Sequence, residues 1–368
     1  HAKWIMGARK NQSGPTAEGG GGTVSALIPC MTVKSALNTS GSWEVVLDKG
    51  YDQFTLPLIG GSDGVDITKM NPFNDSLMSN SSTENNSYVF NTYKRAIDAV
   101  SDPEVVESNI LTVPGLKNLN LQQHIIKVCE ARADTIAILD PPNGYKPPAE
   151  TNGGTTSETG VMDVVNTMLT RGYDSSYACM YYPWVQIRDT ISNNVVWVPP
   201  SVPMLGVMGS TETFHELWFA PAGFNRGGLS AGAAGLPVIS VRERLATKDR
   251  DKLYEARINP IASFPAEGIV AFGQKTLQAV PSALDRINIR RLMNHIKKQV
   301  SRMAATILFD QNVRATWNRF LNRVEPFLTN IKARFGLSAF RVILDETTTT
   351  PDLIDRNIMY AKIFLKPA

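Results

Sequence analysis

Two short apolar runs with one helical period between them do most to limit what this chain can become. Asn109-Ile-Leu-Thr-Val113 and Thr135-Ile-Ala-Ile-Leu139 are apolar on consecutive residues, and residues 118–131 between them place Leu121, Ile125 and Val128 on one side of a helix. Strands of that kind are buried on both faces, and two of them joined through a helix lie parallel in one sheet. The spacing predicts a βαβ unit, and with it an α/β layer structure.

The flanking pattern extends this. Residues 88–100 carry Val89, Tyr93, Ile97 and Val100 at helical spacing, and 161–171 read as a further helix before a strand at 177–187. A Gly, Thr, Ser and Pro-rich loop covers 140–160, and 201–212 read as helical after the double proline Pro199-Pro200. Upstream, 24–28 and 42–47 read as short strands around the glycine run 19–22, and 54–59 is an apolar run ending at Gly60. After 235 the character changes to a charged stretch at 242–257, then a long helix at 284–309 with Ile289, Leu292, Met293, Ile296, Val300, Met303 and Ile307 on its apolar stripe. Helices at 310–324 and 326–335 follow, then strands at 338–345 and 357–364 separated by a Thr-rich turn. The chain divides into 1–56, an α/β core at 57–241 and an α+β domain at 242–368.

Composition is that of an ordinary globular protein, with 43% hydrophobic and 19% charged residues over 368 positions. The most apolar stretch, 195–208, is interrupted by Pro199, Pro200 and Pro203, so no membrane insertion is expected. The chain opens on His1-Ala-Lys-Trp without a basic or apolar leader and is read as a fragment or processed form. Cys30, Cys129 and Cys179 have no metal-ligand spacing and are expected as plain thiols.

Chemistry-bearing constellations are sparse. Gly60-Gly61-Ser62-Asp63-Gly64 could present successive N–H groups to an anion, but it lacks the Lys-Ser/Thr of a P-loop and reads as a turn. Asp63, Asp66 and Asp75 miss the spacing of a calcium loop. His124, His215 and His295 are scattered; His215 beside Glu216, with Ser210 upstream, comes nearest to a base and nucleophile, yet no nucleophile elbow surrounds any Ser. No catalytic residue, cofactor or metal is expected. The remaining enzyme reading is an α/β nucleotide- or sugar-binding protein with its site near Gly60 or Asp140, at the carboxyl ends of the strands.

Charge is more informative. Residues 1–283 hold 22 Lys and Arg against 27 Asp and Glu, whereas 284–368 hold 15 against 7. Arg286, Arg290, Arg291, Lys297, Lys298 and Arg302 are read on the polar side of the 284–309 helix, a face for an acidic partner or simply for solvent. Nucleic-acid binding would interleave aromatic residues with these cations, and 284–305 contain none, so no nucleic-acid partner is expected.

Six segments in order resemble those of contractile phage tail sheath proteins: Leu58-Ile-Gly-Gly-Ser-Asp-Gly64, Trp218-Phe-Ala-Pro-Ala-Gly-Phe-Asn-Arg-Gly227, Arg250-Asp-Lys-Leu-Tyr254, Arg257-Ile-Asn-Pro-Ile261, Gly268-Ile-Val-Ala-Phe-Gly-Gln-Lys-Thr-Leu277 and Asp285-Arg-Ile-Asn-Ile-Arg-Arg291. The resemblance runs from Leu58 to the end. It implies a tail-sheath fold, a mixed or parallel sheet flanked by helices and followed by a helix-plus-sheet domain, with 1–56 as a remnant of an outer insertion domain or of N-terminal strands. It further implies a non-enzymatic virion subunit, assembled in the bacterial cytoplasm into hexameric rings of its own copies. Tail tube, baseplate and tail terminator proteins are the other implied partners, and the six cations named above would face tube or neighbouring subunits. The nearest alternative is the sheath of a bacterial contractile injection system. Family chains carry N- and C-terminal arms that pair edge to edge with neighbours; without them the chain is expected to associate weakly and to leave a sheet edge unpaired.

Overall fold

A computed structural model describes residue 78 and residues 81–142, 160–189, 193–230 and 237–368, all within one compact unit. The expected strands at 24–28 and 42–47, the apolar run 54–59, the Gly60–64 turn, Asp63, Asp66, Asp75 and Cys30 lie outside the described residues.

Helix α1 (Tyr88–Ala99) starts at Ser87, whose hydroxyl accepts the Phe90 N–H at 3.2 Å. Strand β1 (Ile110–Thr112) leads to α2 (Leu119–Arg132), capped by the Asn118 side chain on the Leu121 N–H at 2.9 Å. The chain leaves α2 through Ala133 at φ 56° and enters β2 (Ile136–Leu139), which pairs parallel with β1, Ile110 opposite Ile136. The expected βαβ unit is present. Helix α3 (Val161–Arg171) then returns the chain to β3 (Ala178–Tyr182), parallel to β2.

The single strand expected over 177–187 is two strands in two sheets. Pro183 has no N–H to give a ladder, so pairing stops there. Beyond it, β4 (Val185–Arg188) pairs antiparallel with β5 (Val195–Val198) and β6 (Val238–Val241). Helix α4 (Ser201–Phe214) lies between β5 and β6 in sequence, and α5 (Thr247–Glu255) precedes the hairpin β7 (Asn259–Phe264) and β8 (Gly268–Ala271). Strand β7 adds parallel to β3, giving the order β1-β2-β3-β7-β8. No strand was expected from the sequence at β5 to β8.

Alternate side chains of β2 serve two cores, as the period of a strand requires. Ala137 and Leu139 pack with Leu121, Ile125 and Val164 on one face; Ile136 and Ile138 pack with Tyr181, Met204, Met208 and Ile287 on the other.

A third core lies under α6 (Ile287–Ala305) and α7 (Arg314–Ala333), where Leu292 and Ile296 meet Trp317, Phe320, Val324 and Leu328. Helices expected at 310–324 and 326–335 are one helix with Pro326 inside it. Pro326 is exposed, so the carbonyl one turn back that loses its N–H partner can turn to water. Strand β9 (Leu337–Ile343), the short α8 (Pro351–Asp355) within the Thr-rich turn and β10 (Lys362–Pro367) complete the chain. β9 and β10 form a two-stranded antiparallel ribbon, Lys362 opposite Ile343. Among the described residues each ribbon strand has no strand on its other side.

Candidate assembly interface

The six cations singled out on the basic helix do not share one environment. At 3.6 residues per turn, Ile287, Arg290, Arg291, Asn294 and Lys298 run along one side of α6, and Leu292, Ile296, Val300 and Met303 along the other. Both sides are covered, the second by α7 and the first by the sheet and α4.

Arg290 and Arg291 are therefore buried, at 7% and 3% exposure, which corrects their expected place on a polar outer face. Arg290 lies 4.0 Å from the centre of the Tyr177 ring and donates to the Ser176 hydroxyl. Arg291 donates to the Glu212 carboxylate at 3.0 Å and the Met208 carbonyl at 3.4 Å. Burial pushes both guanidinium values down, and the Glu212 carboxylate beside Arg291 opposes that shift.

Lys298 reaches Glu107 at 3.1 Å and the Asn109 side chain at 2.9 Å, and Arg302 shares the same Glu107. Hydrogen bonds from Lys298 and then Arg302 hold the Glu107 carboxyl below its usual value. Arg286 pairs with Asp285 at 3.2 Å and donates to the Tyr254 hydroxyl. Lys297 and Arg302 are exposed, and Arg286 is partly so.

The more open basic face is on α7, which the sequence reading did not single out. Arg314, Arg319, Arg323 and Lys332 are all exposed there, with Arg334 just beyond the helix end. Next to them Leu308 and Phe309, at 71% and 98% exposure, form an apolar corner between α6 and α7. The signal was available: Arg319 and Arg323 stand four apart, opposite Trp317, Phe320 and Val324.

Three of the six signature segments are joints between these layers. In Trp218 to Gly227, the backbone lies along the free edge of β8: the Gly223 N–H donates to the Ala271 carbonyl at 2.9 Å, and the Ala271 N–H to the Gly227 carbonyl at 2.8 Å. A Cβ on Gly227 would fall 2.6 Å from the Ala271 oxygen, so only glycine fits. Arg226 stacks on Phe219 at 5.3 Å and donates to the Ala220 carbonyl. In Arg257 to Ile261, the buried Asn259 amide donates to the Met180 and Lys275 carbonyls at 3.0 and 2.8 Å and accepts the Lys275 N–H at 2.6 Å. Ile287 of the last segment is fully buried, its N–H on the Gln274 carbonyl at 2.9 Å.

At the carboxyl end of β2, Asp140 is 1% exposed and accepts from the Gly115 N–H at 2.7 Å, the Ser201 N–H at 3.0 Å and the Ser201 hydroxyl at 2.8 Å. Burial lifts its carboxyl to about 6 against these bonds. It ties the start of α4 to the sheet. His124 contacts Asp98 at 2.6 Å, His215 stands edge-on to Phe219, and His295 lies between Trp218 and Phe327 with its value lowered by burial. Among the described residues no three His, Cys, Asp or Glu side chains gather as a metal site, and no helix is long and apolar enough to cross a membrane.

No family model matches the chain. It is 31% identical over 256 residues to the tail sheath protein of Enterobacteria phage T4, covering 67% of this chain and 37% of that protein. The tail sheath protein of Vibrio phage KVP40 is 32% identical over 294 residues, with 74% of this chain and 42% of the relative covered. That of Salmonella phage ViI is 27% identical over 366 residues, 94% and 55%. The chain thus spans about half or less of the length of these relatives. In fold it is similar to the contracted sheath complex of an extracellular contractile injection system, PVC, at TM-score 0.59 and 20% identity, covering 74% of this chain and 71% of that one. It is also similar to a chain of the anti-feeding prophage baseplate, at TM-score 0.56 and 21% identity over 74% and 69%.

Proposed function

We propose, from the premise that this chain is homologous to the tail sheath proteins of contractile phages over two thirds of its length or more, that it is the greater part of the working core of a sheath subunit. Such a subunit is structural and part of the virion tail. The observation that carries the reading is sequence identity above 30% to two phage tail sheath proteins, with a mixed α/β fold shared with contractile sheaths.

Six-fold rings of copies would stack helically around the tail tube, between baseplate and terminator, after assembly in the bacterial cytoplasm. Contraction would then exchange one set of subunit contacts for another, with no covalent step and no cofactor. Contacts that must let go suit exposed ion pairs, each worth ~0.2–1 kcal/mol and screened by salt. Of the six cations on the basic helix, Lys297 and Arg302 would make such contacts with tube or neighbour, joined by Arg314, Arg319 and Arg323 of α7, and the exposure of all five supports this reading. Arg290 and Arg291 act indirectly, by holding α6 against the sheet.

The edges of the β9–β10 ribbon, unpaired among the described residues, suit strand addition by a neighbour's terminal arm. A second reading, the sheath of an injection system, is favoured by the fold likeness to PVC, and it shares this mechanics.

Electron microscopy of the full-length parent protein tests the class. Hollow polymers are expected, and a parent that never polymerises would overturn it. Within that protein, Lys297→Glu with Arg323→Glu should abolish co-assembly with the tube while the melting temperature stays unchanged; normal co-assembly would remove these residues from the contact.

A further inference from the structure

Five buried side-chain atoms with no protein group in hydrogen-bond reach lie within two turns of α6: Asn288 Oδ1, Arg290 Nε, Arg291 Nη1, and both Oδ1 and Nδ2 of Asn294. Asn294 is 5% exposed, so neither end of its amide turns to bulk solvent. Beside Arg291 and Asn294 is a void with about 10 Å³ of room for the centre of a water molecule, lined by those two residues and by Asn109, Asp134, Leu217 and His295. A buried amide bonded at neither end is costly, and native interiors rarely keep one.

We propose that this void binds one water molecule, which joins α6 to the amino-terminal rim of the parallel sheet. The volume is that of a single site, and a site needs two to four polar partners to hold a water. Arg291 Nη1 and Asn294 Nδ2 are donors, so the water accepts from both. Its two protons go to Asn294 Oδ1 and to Asp134, whose carboxylate receives Arg132 at 2.9 and 3.1 Å and the Thr135 hydroxyl at 3.0 Å and keeps further lone pairs.

The lining excludes ions of either sign. Arg291 is already neutralised by Glu212 at 3.0 Å, so no net positive charge is left to draw in an anion, and Asp134 with Asn294 Oδ1 would repel it. A cation would face the guanidinium. Asn109 and Asp134 stand just before β1 and β2, so the water connects the third core to the first two at their junction.

The 368-residue chain, crystallised from bromide, gives the direct test. One oxygen-sized peak in reach of Arg291 Nη1 and Asn294 Nδ2, without anomalous signal, is expected; an empty void or an anomalous bromide peak there overturns the site. Asn294→Leu, which fills the space with an apolar group, should lower the melting temperature by a few degrees because Arg291 and Asp134 lose their bridge. An unchanged or higher melting temperature means a dry void and overturns the proposal. Should that variant not fold, Asn294→Ser decides: its hydroxyl retains the water in the crystal, and loss of that water counts against the site.

Discussion

The indole N–H of Trp218 donates to the carbonyl of Arg334 at 2.9 Å, closing a contact between residues 116 apart in sequence. It fastens the signature segment beside β8 to the end of α7, where the chain turns through Phe335 at φ 62° into β9. The same ring lies among Leu292, Ile296 and Leu337, so one side chain couples the sheet's loop to the third core.

Trp218→Phe keeps most of the ring and leaves that carbonyl unpaired. A loss of about 1–3 kcal/mol is expected, read as a lower urea midpoint with unchanged slope. A midpoint equal to the parent's would mean water replaces the indole.

Gly227→Ala places a methyl 2.6 Å from the Ala271 oxygen and forces the 223–229 segment off β8. Destabilisation of about 1–3 kcal/mol is expected. Gly209→Ala in α4, with open space around its Cβ, serves as the control and should be neutral or stabilising by up to ~1 kcal/mol.

Asp140 gives a pH signature whose sign follows from its raised value. Its folded carboxyl titrates at about 6, above the unfolded value of 3.8, so the folded state holds the proton more tightly. That contribution to stability is fully present below the unfolded value and is lost as pH rises through about 6. Relative to an Asp140→Asn variant, the parent should lose up to about 3 kcal/mol between pH 4 and 7. Parallel pH profiles for the two proteins would show that Asp140 is not so perturbed.

Cys129 and Cys179 are buried thiols; burial pushes Cys129 up to about 12 and Cys179 higher still. In a Cys30→Ser background, Ellman's reagent should find no native thiol and two after unfolding in guanidinium. Rapid native labelling would mean that the β2–β3 layer opens readily.

The central βαβ unit was legible because its signals agree: apolar runs at β1 and β2 and a stripe of Leu121, Ile125 and Val128 between them. The break at Pro183 was hidden inside an apolar alternation that continues on both sides of it. β7 was masked by Asn259-Pro260, a turn signal in most sequences, which here starts a strand because the Asn259 side chain supplies the bonds that the proline cannot. For α6 the cation count was readable but the facing was not. A helix with one apolar stripe is read as having one dry side, and nothing local reports that Glu212, Tyr177 and Ser176, all distant in sequence, wait on the other. Asp140 does stand at a strand's carboxyl end, but its partners Gly115 and Ser201 use its acceptors for anchoring.

The segment 223–229 laid along β8 has a consequence for how strands from outside could be received. There a foreign backbone meets bonding already completed by the molecule's own chain, whereas among the described residues the outer edges of the β9–β10 ribbon have no strand beside them. An incoming strand finds that flank already bonded, which protects it from indiscriminate edge-to-edge growth.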